Sequence, residues 1–507
     1  MCQLRRSRRF PSGSCKTRSV GAILRQRLDR PWRSSVQERP FGAGEESAVD
    51  ACAAVNVHLA TCRPRNRAGA FFVAIALALA GCATTTHPLM PTPALYTGPQ
   101  ARPVFTDLPA DRRTPALDLL YITDRKPAEN ADSHSPYTAN RDLSLAFGST
   151  TVEFGENVSW DALVRASSGA ERSVPLQLQL GPTKELGRFP PIPYPVVRGP
   201  EGFSRLPAVV SAHEKARQDL QAEISRRLAL SPRKEVVLYV HGYHNSFADA
   251  AVTMGELCHF LGREFVCAIF SWPAGGTRGL NFGYDVDIES GEYAVEDLVK
   301  TIRIIATTPG VQKLHVLAHS RGTAILGTAM AELSGEAYTL GMSLPSYLKL
   351  SNVVLMAPDV DADVALSKIF RVFSDPDLPF RGAPNPSATF RSLSEFKVTI
   401  YASPDDKALA ASGWLFGSIA RLGRIDAAML TPEQIEELRN WGEADVIQVR
   451  GRTDFYGHSY FVSNPEVSAD IIAMIRYQLK PNDPGRPLEE VTRPFWRIAP
   501  ADAAAGK

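Results

Sequence analysis

Residues 313–333 read KLHVLAHSRGTAILGTAMAEL, and the fold turns on how this stretch is read. The short apolar run KLHVLA leads without a linker into Ala318-His319-Ser320-Arg321-Gly322, and TAILGTAMAEL continues at helical spacing. A serine therefore stands at the apex of a strand, a tight turn and a helix, a geometry that pushes its hydroxyl outward as a nucleophile. Strand and helix approach closely at such a turn, so small residues are needed two positions either side of the serine. Gly322 meets that need, and Ala318 replaces the more usual glycine. A serine that merely caps a helix is the plain alternative. The apolar strand directly ahead of it favours the nucleophile.

Apolar runs recur outward from this turn: EVVLYV at 235–240, VCAIFS at 266–271, SNVVLMA at 351–357, FKVTIYA at 396–402 and VIQVR at 446–450. Helix-like segments separate most of them. Near-continuous apolar strands alternating with helices indicate an α/β fold, a mostly parallel sheet with helices on both faces. Ahead of it, LDLLYIT at 117–123 and stretches at 142–154 and 174–181 read as strands, and residues 205–230 as a helix ended before Pro232. The expected organisation is a leader and signal over 1–81, then a flexible Pro- and Thr-rich tether over 82–115. A β-containing N-terminal strand and helix extension follows over 116–232, then the main domain over 233–480 and a loose tail over 481–507.

A serine nucleophile requires a base, an acid and an oxyanion site. His241-Gly242-Tyr243-His244-Asn245 follows the strand EVVLYV, where one oxyanion donor belongs; the other is the residue after the nucleophile. The expected donors are the N–H groups of Tyr243 and Arg321, with His241 and Gly242 shaping the substrate side of the loop. Only one histidine follows Ser320, His458 in FYGHSY, after the strand VIQVR. As a neutral imidazole it would take the serine proton and return it to the leaving group. The acid is expected after the strand FKVTIYA, at Asp406, with Asp405 beside it. Asp359, Asp361 and Asp363, one strand earlier, stay open as alternatives.

In order, HGYHNSFADA, FSWPAGG, AHSRG, MAPDVDADV, YASPDDKAL and GHSYF resemble the motif series of a bacterial family of uncharacterised α/β-hydrolases, over about residues 116–478 and including the early YITDR segment. The resemblance implies the α/β-hydrolase fold, esterase- or lipase-like, with Ser320, the Asp of SPDDKAL and His458 as a triad. It implies no particular substrate.

Charge and cysteines place the chain. The formal net charge is +2, but residues 1–81 hold 14 Lys+Arg against 5 Asp+Glu, and the remainder 42 against 49. An acidic body argues against a nucleic-acid partner. Arg63, Arg65 and Arg67 precede an apolar run from Ala68 to Ala80, the layout of a secretory signal. Leu79-Ala80-Gly81-Cys82 resembles the lipobox of bacterial lipoproteins. That resemblance implies cleavage before Cys82, acylation there, and a lipid-anchored place in the cell envelope, on the periplasmic side of the outer membrane. The Arg- and Ser-rich preamble before Arg63 is unusual for such a signal, and the expected true start lies near residues 50–60. Cys258 and Cys267 are expected as buried small side chains rather than a bridge, with a disulfide the alternative that gains if the domain lies outside the cytosol. There is no P-loop and no dinucleotide fingerprint, and His241, His244 and His259 lack the spacing and companions of a zinc site. Neither cofactor nor metal is therefore expected.

These readings converge on a serine hydrolase acting on a small-molecule or lipid ester, thioester or amide through an acyl-enzyme. The segment 410–445, with Trp414, Leu415, Phe416 and Trp441, is a candidate lid or acyl-binding cap, plain helix packing being the alternative. The rival from another class is a non-catalytic envelope lipoprotein that uses the same fold for binding.

Overall fold

The structure is a computed structural model that describes residues 87–97, 101–129, 135–169, 172, 175–276, 280–370, 398–415, 417, 420–441, 444–451, 454–486 and 488–498. All of them belong to the compact unit Leu79–Lys507. Cys82, the signal stretch and the rest of the 1–81 leader lie outside the described residues, as does Phe416.

The described chain opens with β1 (His87–Pro88), β2 (Ala116–Pro127), β3 (Tyr137–Phe154) and β4 (Gln177–Arg188), then the hairpin β5 (Val196–Gly199) and β6 (Gly202–Arg205). Helix α1 (Pro207–Leu230) leads into β7 (Glu235–Val240), α2 (Phe247–Phe260), β8 (Val266–Ser271), α3 (Leu280–Thr307) and β9 (Lys313–His319). Helix α4 (Gly322–Thr339) follows, then β10 (Leu350–Met356), β11 (Val398–Ala402), α5 (Lys407–Leu415), α6 (Pro432–Trp441) and β12 (Ala444–Gln448). Helix α7 (Pro465–Arg476) and the strands β13 (Leu488–Thr492) and β14 (Phe495–Ile498) close the described chain.

Among the described residues, twelve strands form one sheet in the order β1-β4-β3-β2-β8-β7-β9-β10-β11-β12-β14-β13. The run from β2 through β8, β7, β9, β10, β11 and β12 to β14 is parallel, while β1, β4 and β3 extend it antiparallel. This is the α/β-hydrolase arrangement expected from the sequence, with the β-rich N-terminal extension continuing the same sheet. Strand order reverses at β7, which lies between β8 and β9. Open sheets of this kind bind ligands at such a switch point, beyond the carboxyl ends of the strands.

The strands form because both of their faces are covered. Val236, Leu238 and Val240 of β7 join one core cluster with α1, α3 and α4 residues such as Ile224, Ile302 and Ile325. Val237 and Tyr239 point the other way, into a second cluster with Met254 of α2 and Ile471 of α7. That is the period-two alternation of a strand expressed on two buried faces. Ser246 and Asp249 close a capping box at the start of α2, satisfying backbone N–H groups that the first turn leaves open.

Three expectations are corrected. The stretch expected as a tether is packed where it is described: Leu89, Met90, Tyr96, Val104 and Leu108 are buried, and Tyr96 donates from its hydroxyl to the Phe260 carbonyl at 2.6 Å. Its apolar residues are spaced by prolines rather than by any helix or strand period, so pattern reading passes over them. The expected loose tail instead supplies β13 and β14, with Phe495 and Trp496 buried and β14 parallel to β12; strands of five and four residues are too short to carry a periodic signal. Cys258 and Cys267 form a disulfide with Cα atoms 6.2 Å apart, because the turn after α2 returns the chain directly into β8. Among the described residues no helix is long and apolar enough to cross a membrane.

Candidate active site

Ser320 follows the last residue of β9 with φ 51°, a left-handed conformation that costs energy in a non-glycine residue and clusters at functional turns. Its N–H donates to the Met356 carbonyl at 3.0 Å, and its own carbonyl accepts from the N–H of Asp359 at 3.2 Å and of Thr323 at 3.1 Å. The elbow is thus fastened to the end of β10. Two glycines make room for it. A Cβ on Gly322 would collide with the carbonyls of His241 and Val240, and one on Gly242 would lie 2.7 Å from Ser320 Cβ. The loop after β7 therefore lies directly against the serine. The space requirement read from the sequence at Gly322 has a definite cause, the backbone of that loop.

The loop carries the residues expected to hold an oxyanion. Gly242 N–H donates to Asn245 Oδ1 at 3.1 Å. His244, at φ 59°, donates its N–H to Asp287 Oδ2 at 3.0 Å. Tyr243 stacks obliquely on Tyr284, ring centroids 4.8 Å apart. Arg321 N–H belongs to the start of α4, where the first backbone donors lack partners within the helix. His241 lies beneath the loop, fully buried and stacked on Trp272 with 6° between ring planes. Its Nδ1–H donates to the Gly242 carbonyl at 2.9 Å, and Nε2 accepts from the Arg125 guanidinium at 3.3 Å. Burial, and then the charge of Arg125, holds its pKa down to about 3. A neutral ring with both nitrogens engaged supports the loop from below rather than facing a substrate.

His458 and Asp406 come together across 52 residues of chain, Nδ1 to Oδ2 at 2.7 Å. Asp406 is fully buried, whereas the His458 side chain is 16% exposed. Because Nδ1 keeps its proton and donates it in a hydrogen bond to the carboxylate, Nε2 is the basic nitrogen of the neutral ring. The His458 carbonyl accepts from His319 Nε2 at 3.3 Å, with ring centroids 4.8 Å apart, so the histidine sits against the residue preceding Ser320. The Ser320 hydroxyl makes no hydrogen bond to His458 among the described residues; such contacts often tighten only when substrate is bound.

The other acids are placed differently. Asp405 is exposed. Asp361 accepts the N–H groups of Asp363 and Val364 at a helix start. Asp359 accepts from Tyr284 and from Ser412 Oγ at 2.8 Å, with Arg421 3.6 Å away. Trp414, in the segment expected as a lid or cap, is 84% exposed.

Several positioning residues were not singled out by sequence reasoning. Arg125 is 1% exposed and donates to the Asn245 carbonyl at 2.7 Å, the Ala274 carbonyl at 2.9 Å and Ser271 Oγ at 2.9 Å, tying the extension to the loop after β7. Asp454 Oδ1 accepts the N–H groups of His458 at 2.9 Å and Ser459 at 2.8 Å, folding the histidine loop. The one available signal for Arg125 was its place in the YITDR segment; Asp454 had none. Among the described residues no group of three or more His, Cys, Asp or Glu side chains is arranged to hold a metal ion.

Residues 216–476 match the model of a family described as alpha/beta hydrolase of unknown function (DUF900). No curated protein matches the chain. Among solved structures, an esterase from Pyrobaculum calidifontis is 16% identical over 49% of this chain and 78% of its own, at a TM-score of 0.25. Carboxyl esterase 2 from Tuber melanosporum is 16% identical over 48% and 77%, at 0.24. A 2-hydroxy-6-oxo-6-phenylhexa-2,4-dienoate hydrolase from Rhodococcus sp. strain RHA1 is 14% identical over 49% and 92%, at 0.26. Likenesses this distant carry no weight for activity or substrate.

Proposed function

This chain belongs to that family of α/β-hydrolases, and we propose that it is a serine hydrolase cleaving carboxylic esters, thioesters or amides through an acyl-enzyme. The observation that carries the reading is the Asp406–His458 pair, held against the residue that precedes Ser320, at the carboxyl ends of β9, β11 and β12. In the proposed cycle Ser320 Oγ attacks the carbonyl carbon and its proton passes to His458 Nε2. Asp406 holds the ring in the right tautomer and stabilises the imidazolium. The N–H groups of Tyr243 and Arg321 take the developing oxyanion, and Gly242 keeps the loop close enough for them to reach it. His458 then protonates the leaving group, and a water activated by the same ring releases the acyl group.

Hydrolysis of p-nitrophenyl acetate and longer acyl esters by the full chain, wild type beside Ser320→Ala, tests this. A loss of about a thousandfold or more is expected, as when a triad serine is removed. Equal rates in the two proteins would sink the proposal. The non-catalytic rival draws on one observation, the missing Ser320–His458 hydrogen bond, and predicts no turnover by folded wild type.

An envelope location is a second part of the proposal. The Cys258–Cys267 disulfide suits an oxidising compartment, and the LAGC sequence ending at Cys82 supplies an acylation site. Metabolic labelling with palmitate that persists in Cys82→Ser would remove the anchor from the account.

A further inference from the structure

The amino ends of β2 and β8, opposite the edge that carries Ser320, border a cavity of about 350 Å³ lined by Arg112, Arg226, Arg227 and Arg263 against Asp111 and Asp118. Arginines in protein interiors are normally matched by carboxylates. Two of these are. Arg226 and Arg227 both bond Glu223, at 2.7 and 2.8 Å, and Arg227 Nη2 lies 2.9 Å from Asp118 Oδ2, a distance that makes an ion pair although the alignment is not that of a hydrogen bond.

The other two make no ion pair among the described residues, although the charges of Asp111 and Asp118 reach Arg112 from farther away. Arg263 is 1% exposed. Its Nη1 donates to the carbonyls of Thr114 at 2.7 Å and Ala116 at 3.0 Å, and its Nε to His259 Nδ1 at 3.1 Å. None of these partners is anionic: burial holds His259 well below the ordinary histidine range, and its Nε2 bonds Ser167 Oγ at 2.7 Å, so the ring is neutral and accepts. Arg263 Nη2 has no hydrogen-bond partner among the described residues, nor has the buried Nη1 of Arg112. The guanidinium also lies over the rings of Phe154 and Trp160, at 5.1 and 5.0 Å, which fixes its plane without neutralising it. Burial first, and then the charge of Arg112, pulls the Arg263 pKa down to about 9.

We propose that this cavity is an anion-binding site for a phosphate group, held by Arg112 and Arg263 and separate from the site at Ser320. A tetrahedral oxyanion offers several acceptors to guanidinium forks approaching from different sides, and paired arginines are the usual partners of phosphate. The volume exceeds that of the ion alone and falls at the lower end of small-ligand pockets, so a small phosphate monoester fits the space as well as inorganic phosphate does.

Calorimetric titration of the full chain at fixed ionic strength tests the site. Three probes separate the sources of the phosphate group: inorganic phosphate, glycerol 3-phosphate, and phosphatidylcholine vesicles with and without phosphatidate. Saturable binding of at least one of them is expected, weakened tenfold or more in Arg112→Gln and by less in Arg112→Lys, which keeps the charge and loses the fork. Arg112 is only half-buried, so these variants are chosen ahead of any at Arg263. Should Arg112→Gln fail to fold, wild type and Arg112→Lys carry the comparison. No saturable binding of any probe to wild type, or binding equally tight in the Arg112 variants, would overturn the proposal.

Discussion

Two histidine–carboxylate pairs lie at opposite ends of the same sheet, and they differ in what is left over. At the amino ends of the strands, His315 of β9 donates from Nε2 to Glu235 of β7 at 2.9 Å, and its Nδ1 accepts from Asn352 at 2.9 Å. The ring is fully buried and both nitrogens are used. At the carboxyl ends, His458 gives Nδ1–H to Asp406 at 2.7 Å, keeps 16% of its side chain exposed, and has no hydrogen bond at Nε2 among the described residues. The two pairs have the same chemistry and nearly the same length. A histidine bonded to a carboxylate is therefore not by itself a sign of catalysis; the proposal rests on the pair's place, where strands end beside a serine at φ 51° and Nε2 is left over.

The largest expected difference follows from that contrast. His458→Ala should lower ester hydrolysis about a thousandfold, with some loss of stability because the fully buried Asp406 loses its ring partner and keeps the Leu409 N–H. His315→Ala should leave activity per folded molecule within about threefold and cost about 2–4 kcal/mol of stability, through a cavity and a buried glutamate left with its longer Arg233 contact at 3.7 Å. Denaturant unfolding and initial rates on both variants check this, and similar profiles would break the comparison.

The acids sharpen it. Asp406→Asn should cost roughly a hundredfold to ten-thousandfold in kcat by presenting the wrong tautomer of His458. Asp405→Asn, at an exposed neighbour, should change kcat by less than about twofold. A large loss at Asp405 would move the acid.

Gly322→Ala places a methyl group against the His241 and Val240 carbonyls. It is expected to destabilise by about 1–3 kcal/mol, as overpacking does, with a parallel loss of activity because the loop after β7, proposed to hold the oxyanion, must shift. A neutral result in both assays would mean that the loop is not fixed by the elbow.

The smallest effect is in pH. Burial holds the His315 pKa below the ordinary 6.5, with Glu235 opposing. The folded state therefore favours the neutral ring, so this contribution is complete above about pH 6.5 and is lost as pH falls towards the folded value. His315→Gln should flatten stability against pH below 6.5. A steeper acid loss in the variant would contradict the sign.

The same division between local and distant contacts explains what the sequence disclosed. Strands β7 and β8 were legible to the residue because six consecutive buried positions leave a continuous apolar run. The strand, turn and helix around Ser320 were legible because they adjoin in the chain, and His458 stands out because no other histidine follows the serine. Asp406 is expected from its place after the strand FKVTIYA, whereas its burial and the exposure of Asp405 come from loop geometry that no local pattern records. Arg125 escaped because its role lies in bonds to residues some 120 positions away, which no local pattern records. The strands β13 and β14 and the Cys258–Cys267 bridge escaped for a similar reason, since pairing partners rather than periodicity create them.

Labelling of the full chain with a fluorophosphonate probe tests the central claim most directly, with wild type beside Ser320→Ala, His458→Ala and His315→Ala. The account predicts a labelled wild type, label lost in the first two variants, and label retained by the folded fraction of His315→Ala. A folded wild type that takes no label, or a Ser320→Ala protein that still does, would contradict it.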